Sequence, residues 1–151
     1  MTVSQTATAI KTRIDAIKET INEEERPLVS KSWIGDIGAP PQVGEIIVTI
    51  MAKRKDREDF NYPGNNPPAV PYWVPWEIFV ISVGQDVTTA TTRLYEVTDL
   101  IEDALRTDLS FGGTCEMGIL PADGVTFGAG GTDRNDLKPT ALISLKTYYT
   151  P

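Results

Sequence analysis

WEIFVISV, residues 76–83, is apolar at nearly every position, and its reading decides the fold. So short a run, rich in β-branched and aromatic residues, predicts a strand, and the lack of a polar alternate face predicts one that is covered on both sides. It belongs at the centre of a sheet with helices over at least one face. Upstream, EIIVTIMA (residues 45–52) is a second β-branched run and a second strand, preceded by a link that contains Gly35, Gly38, Pro40 and Pro41. Between the two strands lies KRKDREDFNYPGNNPPAVPYWVP, residues 53–75, with five prolines and a mixed-charge run. A long extended loop is expected there, and loops of that length inside a domain serve function more often than packing.

Towards the N-terminus, isoleucines fall at positions 10, 14, 17 and 21, the spacing of one helical face. An amphipathic helix is expected from Thr6 to Glu25, stopped by Pro27. Its last turn would then hold Glu23 to Arg26, where three glutamates oppose the helix dipole. Solvent is the simplest environment for them; a basic neighbour in an assembly is the other.

Downstream of the apolar strand, TTATTRLYEVTDLIEDALRT predicts a second helix from about Thr88 to Thr107, with Leu94, Val97, Leu100, Ile101, Ala104 and Leu105 along one stripe. Asp86 or a following threonine suits its start and Arg106 its end. LSFGG follows at residues 109–113. A loop that cradles phosphate precedes a helix, so that free N–H groups face the anion. Here the glycines follow the helix, where carbonyls point outward, and Gly112 and Gly113 are expected to supply positive φ in a turn. A strand at Thr114–Leu120, a PADG turn at residues 121–124 and a returning antiparallel strand at Val125–Phe127 come next. The glycine cluster GAGGTDRND, residues 128–136, also lacks a helix after it and reads as a loop. In the last strand, ALISLKTYYT (residues 141–150), Ala141, Ile143 and Leu145 alternate inward against Leu142, Ser144 and Lys146. The expected fold is one α+β domain over residues 1–151, a mainly antiparallel sheet with two amphipathic helices packed on one face.

A chain of 151 residues is long enough for a single core without metal or disulfide, and its one cysteine, Cys115, reads as a small buried apolar residue. The absence of histidine removes Ser/His/Asp and Cys/His nucleophile systems and histidine-ligated zinc. A net charge of −7 disfavours a surface that coats nucleic acid, although an acidic wall suits DNA that merely slides past. The opening residues lack the apolar centre of a secretion signal, and no later run is long and apolar enough to predict a membrane span. Asp99, Glu102 and Asp103 share a helical surface that could hold a divalent cation, but they lie opposite the apolar stripe, where charge belongs anyway. Asp133 and Asp136 lack the ligand alternation of a calcium loop. No catalytic, cofactor-binding or metal-binding residue is therefore expected. Contact with partners falls instead to the basic cluster Lys53, Arg54, Lys55 and Arg57, to Phe60 and Tyr62 in the proline loop, and to Tyr148 and Tyr149 on the last strand. Trp76, which opens the apolar strand, is expected in the core.

The order of elements, with LYEVTDLIEDALRTDLSFGG (residues 94–113) followed by short strands and the aromatic-tipped ALISLKTYYT, resembles the tail terminator, or tail-completion, proteins of long-tailed bacteriophages. The resemblance implies a structural protein of the virion, assembled in the host cytoplasm. In that family a ring, commonly hexameric, sits on the last ring of the tail tube, stops its growth and offers the head-joining surface. Its implied partners are copies of itself, the tail tube protein and the connector or neck proteins, with DNA only as passing cargo, no membrane and no cofactor. The long FNYPGNNPPAVPYW loop departs from the family pattern. Two other readings stand beside it: another neck or head-closure component, and a carboxylate-metal phosphoesterase built on Asp99, Glu102 and Asp103.

Overall fold

The computed structural model describes residues 1–57, 70–128 and 138–150. Its elements are helix α1 (Val3–Asp15), strands β1 (Lys18–Ile21), β2 (Glu24–Pro27), β3 (Lys31–Ile34), β4 (Ile46–Ala52), β5 (Asp56–Arg57) and β6 (Tyr72–Ser82), helix α2 (Val87–Arg106), and strands β7 (Met117–Ile119), β8 (Val125–Gly128) and β9 (Thr140–Tyr149). The fold is α+β, with two helices and a mostly antiparallel sheet in the order β3-β4-β6-β9-β7; β5 pairs with β6 and β8 with β9. One pairing, β3 with β4, is parallel.

The apolar run at 76–83 takes the central place expected of it, between β4 and β9. Only one of its faces is fully covered, however: Val74, Trp76, Ile78 and Val80 are buried, whereas Phe79 on the other face is 36% exposed. The strand also starts earlier than expected, at Tyr72, because Asp56–Arg57 pairs with Tyr72–Trp73 and extends the ladder into the proline segment. Both ends of the segment expected as an extended loop, 53–75, thus pair in the sheet, and residues 58–69 lie outside the described residues. Pro75 has no N–H to give, but its carbonyl accepts from Lys53 N–H at 2.9 Å.

The N-terminal helix is shorter than the isoleucine spacing suggests. It begins at Val3, capped by the Thr2 hydroxyl that accepts from Gln5 N–H, and stops at Asp15. Residues 18–27 instead form the hairpin β1–β2, turned by Asn22 and Glu23 at φ 53° and 66°. Two successive positive φ values are the signature of the tight turn whose twist matches antiparallel strands, and asparagine tolerates that region. Ile17 and Ile21 fit a strand as well as a helix, which is why the period misleads over so short a span. Glu23, Glu24 and Glu25 consequently lie on a hairpin, and the conflict with a helix dipole disappears. Strand β3 was hidden by its neighbouring glycines and prolines.

Helix α2 follows its predicted bounds within one residue, and the Asp86 carboxylate accepts from Thr89 N–H at 2.8 Å to cap it. Leu94, Val97, Ile101 and Leu105 are buried as expected. Leu100 is not; it is 43% exposed, and buried Thr98 takes its side of the stripe by donating its hydroxyl to the Leu94 carbonyl at 2.7 Å. A single apolar cluster joins these residues to Ile10 and Ile14 of α1, Ile46, Val48 and Ile50 of β4, and Ala141, Ile143, Leu145 and Tyr149 of β9. The inward alternation read at Ala141, Ile143 and Leu145 holds and continues through Thr147 to Tyr149.

The PADG turn does not reverse the chain. β7 and β8 are each antiparallel to β9, with Ile119 opposite Lys146 and Val125 opposite Ile143, so they run in the same direction as one edge strand interrupted at residues 120–124. The Ala122 N–H, donating to the Ser144 carbonyl at 2.7 Å, keeps the interruption pinned to the sheet.

A polar thread crosses the apolar cluster. Trp76 Nε1–H donates to Thr147 Oγ1 at 2.8 Å, the Thr147 hydroxyl reaches Tyr149 Oη at 3.2 Å, and the Tyr149 hydroxyl donates to Thr6 Oγ1 at 2.6 Å. Replacing Thr147 with Val keeps the volume but strands the buried indole N–H, so Thr147→Val should lower unfolding free energy by about 1–3 kcal/mol in urea titrations. Tyr149→Phe, which removes the link between Thr147 and Thr6 but leaves the indole N–H paired, should lower it by about 1 kcal/mol.

Candidate interaction surface

The glycine turn after α2 shows what it binds. Phe111, Gly112 and Gly113 take φ of 51°, 71° and 80°, as expected of the two glycines. The Gly112 N–H, with the Ser110 N–H and hydroxyl, converges on a carboxylate of the same loop, while the Phe111 N–H donates to the Asp108 carbonyl and the Gly113 N–H to the Ser110 hydroxyl. Asp108 accepts from Ser110 N–H at 2.9 Å, from the Ser110 hydroxyl at 2.6 Å and from Gly112 N–H at 2.8 Å. Arg13 braces the loop, donating to the Leu105 carbonyl at 3.3 Å and to the Asp108 carbonyl, with its guanidinium 4.9 Å from the Phe111 ring centre. The Ser110 hydroxyl first, and then the two amides, hold the Asp108 carboxyl at about 2, well below the usual 3.8. An anion-binding nest is present, and the protein fills it with its own anion.

The basic cluster leaves β4 and runs beside the first residues of β6. Lys53 Nζ lies 3.0 Å from Glu77, and Arg54 Nε lies 2.7 Å from Asp56. Lys55 Nζ sits 5.0 Å from the Tyr72 ring centre, a cation–π arrangement. Arg57 is exposed, opposite Tyr72 in register. Tyr148 faces Trp73 on one side, with ring centres 4.9 Å apart, and Met117 on the other. One end of the sheet thus gathers Lys53, Arg54, Lys55, Arg57 and Tyr148 from the expected set. It adds Tyr72, Trp73 and Met117, which the sequence left inside a supposed loop or strand without a role. Their signal was the alternation of Trp73 with Val74, legible only once β6 is known to begin at Tyr72.

Tyr149 leaves the contact set. It is 1% exposed, stacked on Tyr72 at 5.0 Å and 14°, and its hydroxyl is engaged in the polar thread; burial pushes its phenol pKa up. Strand alternation forces this: with Tyr148 outward, its neighbour must point in. Phe60 and Tyr62 lie outside the described residues, as do Asp133 and Asp136. Because Lys53 and Arg54 each face a carboxylate, the end of the sheet presents aromatic area edged by compensated charge, a composition that suits protein contact better than phosphate.

Glu102 is engaged by Arg106 at 2.9 Å, and the described residues contain no group of three or more acidic, cysteine or histidine side chains placed to hold a metal. No described helix is long and apolar enough to cross a membrane. Cys115 is 2% exposed, and burial raises its thiol to about 11. No protein-family model matches the chain, and a search of curated proteins finds no match either.

The depressed Asp108 carboxyl makes the loop pH-sensitive in a defined direction. Its stabilisation is complete above about 3.8 and is lost as pH falls towards about 2. Asp108→Asn should therefore destabilise the protein at neutral pH and flatten the decline in urea midpoint over that acid window; equal slopes for the two proteins would remove Asp108 as the anion of the nest.

Proposed function

We propose that this chain is a ring-forming structural protein of the tail-terminator kind, capping a phage tail tube and offering a surface to neck proteins. The reading has both helices on one face of the sheet, so that the opposite face and the strand ends are left for neighbours. The observation that carries it is the end of the sheet built from Lys55, Arg57, Tyr72, Trp73 and Tyr148. The Trp73 and Tyr148 rings, paired across strands at 4.9 Å, form a rigid outward patch, and half-buried Tyr72, stacked on Tyr149 beneath, lies beside exposed Lys55 and Arg57. Rigid aromatic area of this kind loses little entropy on association, which is why such residues dominate protein contacts.

The acidic balance of −7 supports a wall past which DNA slides without adhering. A closed ring fits the stopping of tube growth, because it consumes its own lateral surfaces and leaves only the axial ones. In this reading the sheet end is axial and meets the tube protein; the virion is the site of action and no catalytic step is assigned.

Negative-stain microscopy of the protein mixed with isolated tail tubes should show caps on tube ends. A particle that neither forms rings nor binds tubes overturns the proposal, and capture by portal-side adaptors in place of tubes moves the protein to the neck. Tyr148→Ala combined with Lys55→Glu should weaken tube-end binding by roughly thirtyfold, equivalent to about 2 kcal/mol for a central aromatic contact.

A further inference from the structure

Strand β3 ends the main sheet and pairs on one side only, with β4. The N–H and C=O groups of its alternate residues therefore point away from the sheet, and no strand among the described residues meets them. An edge in that state can take one more strand, and alternation decides which side chains of that strand reach each face. On the core-side face β3 carries Ser32 and Ile34, in register with Val48 and Ile50 of the apolar cluster. In an added strand, the side chains beside these two belong to residues two apart, about 7 Å along the chain.

Those two positions meet unlike surroundings under α1. Next to Ile34, which is 51% exposed, a mostly apolar cleft of about 400 Å³ opens between Val3 and Ala7 of the helix and Ile50 and Trp76 of the sheet. Next to Ser32 lies a groove of about 620 Å³ whose lining includes Lys11, Asp15, Arg26 and Lys31. Lys11 faces Asp15 at 2.6 Å and Lys31 faces Glu45 at 3.1 Å, while Arg26 has no carboxylate at ion-pair distance among the described residues. The groove thus keeps one cation in excess. Helix α1 advances about 6 Å from Lys11 to Ala7, nearly the step from Ser32 to Ile34, so the charged and apolar positions stay aligned along helix and strand.

We infer that this edge binds an extended segment of a partner protein as an added strand, with a glutamate side chain in the groove beside Arg26 and a leucine-sized apolar side chain two residues away in the cleft. Main-chain pairing supplies affinity common to any extended chain, and the spacing of charge and apolar group supplies the selection. A carboxylate is selected because the surplus in the groove is cationic, and an apolar neighbour because Val3, Ala7 and Ile50 offer it nothing polar. The inference stands apart from the terminator reading, since a tube can be capped with this edge empty.

Acetyl-Thr-Glu-Thr-Leu-Thr-amide and its reverse order, acetyl-Thr-Leu-Thr-Glu-Thr-amide, test it by NMR against the isotope-labelled full chain. One of the two should shift the amide signals of Ser32, Trp33 and Ile34. Placing Glu next to Leu turns the two side chains to opposite faces and should weaken binding by about tenfold or more. Methylating the peptide amides on alternate residues should abolish binding in one phase and spare it in the other, as an added strand requires. Arg26→Glu should weaken the glutamate peptide and favour its lysine counterpart, and Ile34→Ser should weaken both; circular dichroism matching the wild type confirms that each variant is folded. Binding that ignores spacing or methylation phase, or no shift from either order at millimolar peptide, overturns the site. Self-association in a concentration series that Ile34→Ser abolishes makes the occupant a second copy and overturns the assignment to another protein. Tube capping reports on the terminator proposal alone.

Discussion

Four side chains from three distant stretches of the chain meet in one hydrogen-bonded line: the Trp76 indole, the Thr147 and Tyr149 hydroxyls and the Thr6 hydroxyl. The line ties the central strand to β9 and β9 to the first helix, and Thr6 lies within 3.2 Å of the Thr114 carbonyl as well. Apolar burial alone would bring these elements together without fixing how they sit, because Ile and Val side chains pack in many ways at similar energy. A buried polar group does not have that freedom, since losing its partner leaves a desolvated donor. The register of β9 and the height of α1 over the sheet are consequently set by the same few atoms. Everything at the surface end follows, since Tyr149 can turn inward only if Tyr148 turns outward towards Trp73.

The loop after α2 solves a related problem with charge. A helix C-terminus exposes carbonyls, and a turn of three positive-φ residues exposes amides. Arg13 meets the first through the carbonyls of Leu105 and Asp108; the second is met within the loop, where the Asp108 side chain accepts from the Ser110 and Gly112 amides and the Ser110 hydroxyl from the Gly113 amide. Because Arg13 belongs to α1, the end of the second helix is fastened to the first. A glycine-rich turn that could be mistaken for a nucleotide cradle is thus part of the mechanical frame. Its amides are spent within the loop, which agrees with the placement of the glycines after the helix and not before it.

Legibility in the sequence tracked the length over which a pattern repeats. Helix α2, with five turns of stripe and a capping Asp86, was readable almost to the residue, and so was the alternation of β9. The hairpin at residues 18–27 was not, because Ile17 and Ile21 satisfy two periods at once and only the positive φ at Asn22 and Glu23 decides between them. The β7–β8 edge failed for another reason. PADG carries turn chemistry, and the structure does turn there, but the partner that makes it an interruption rather than a reversal is β9, some twenty residues downstream. At the surface end, the basic residues were visible as a cluster. The rings between them were not, since Tyr72 and Trp73 acquire their orientation only from pairing with β5 and β9.

An open sheet whose edges are short and unlike poses a choice for any protein: blunt both edges or use them. The β8 portion is shielded in part, for Phe127 meets Tyr95 of α2 edge-on at 4.9 Å, while β7 and the end of β3 keep apolar side chains in solvent. Exposed isoleucine and methionine at both ends of one sheet are a liability for a monomer, because nothing prevents one edge from finding the other in a second molecule. A closed ring consumes its own lateral surfaces, and growth ends when the circle is complete. The proposed role therefore carries a physical requirement of its own. A protein that stops a polymer must itself associate without polymerising, and lateral surfaces on one rigid sheet meet that condition when the angle between neighbours closes the circle.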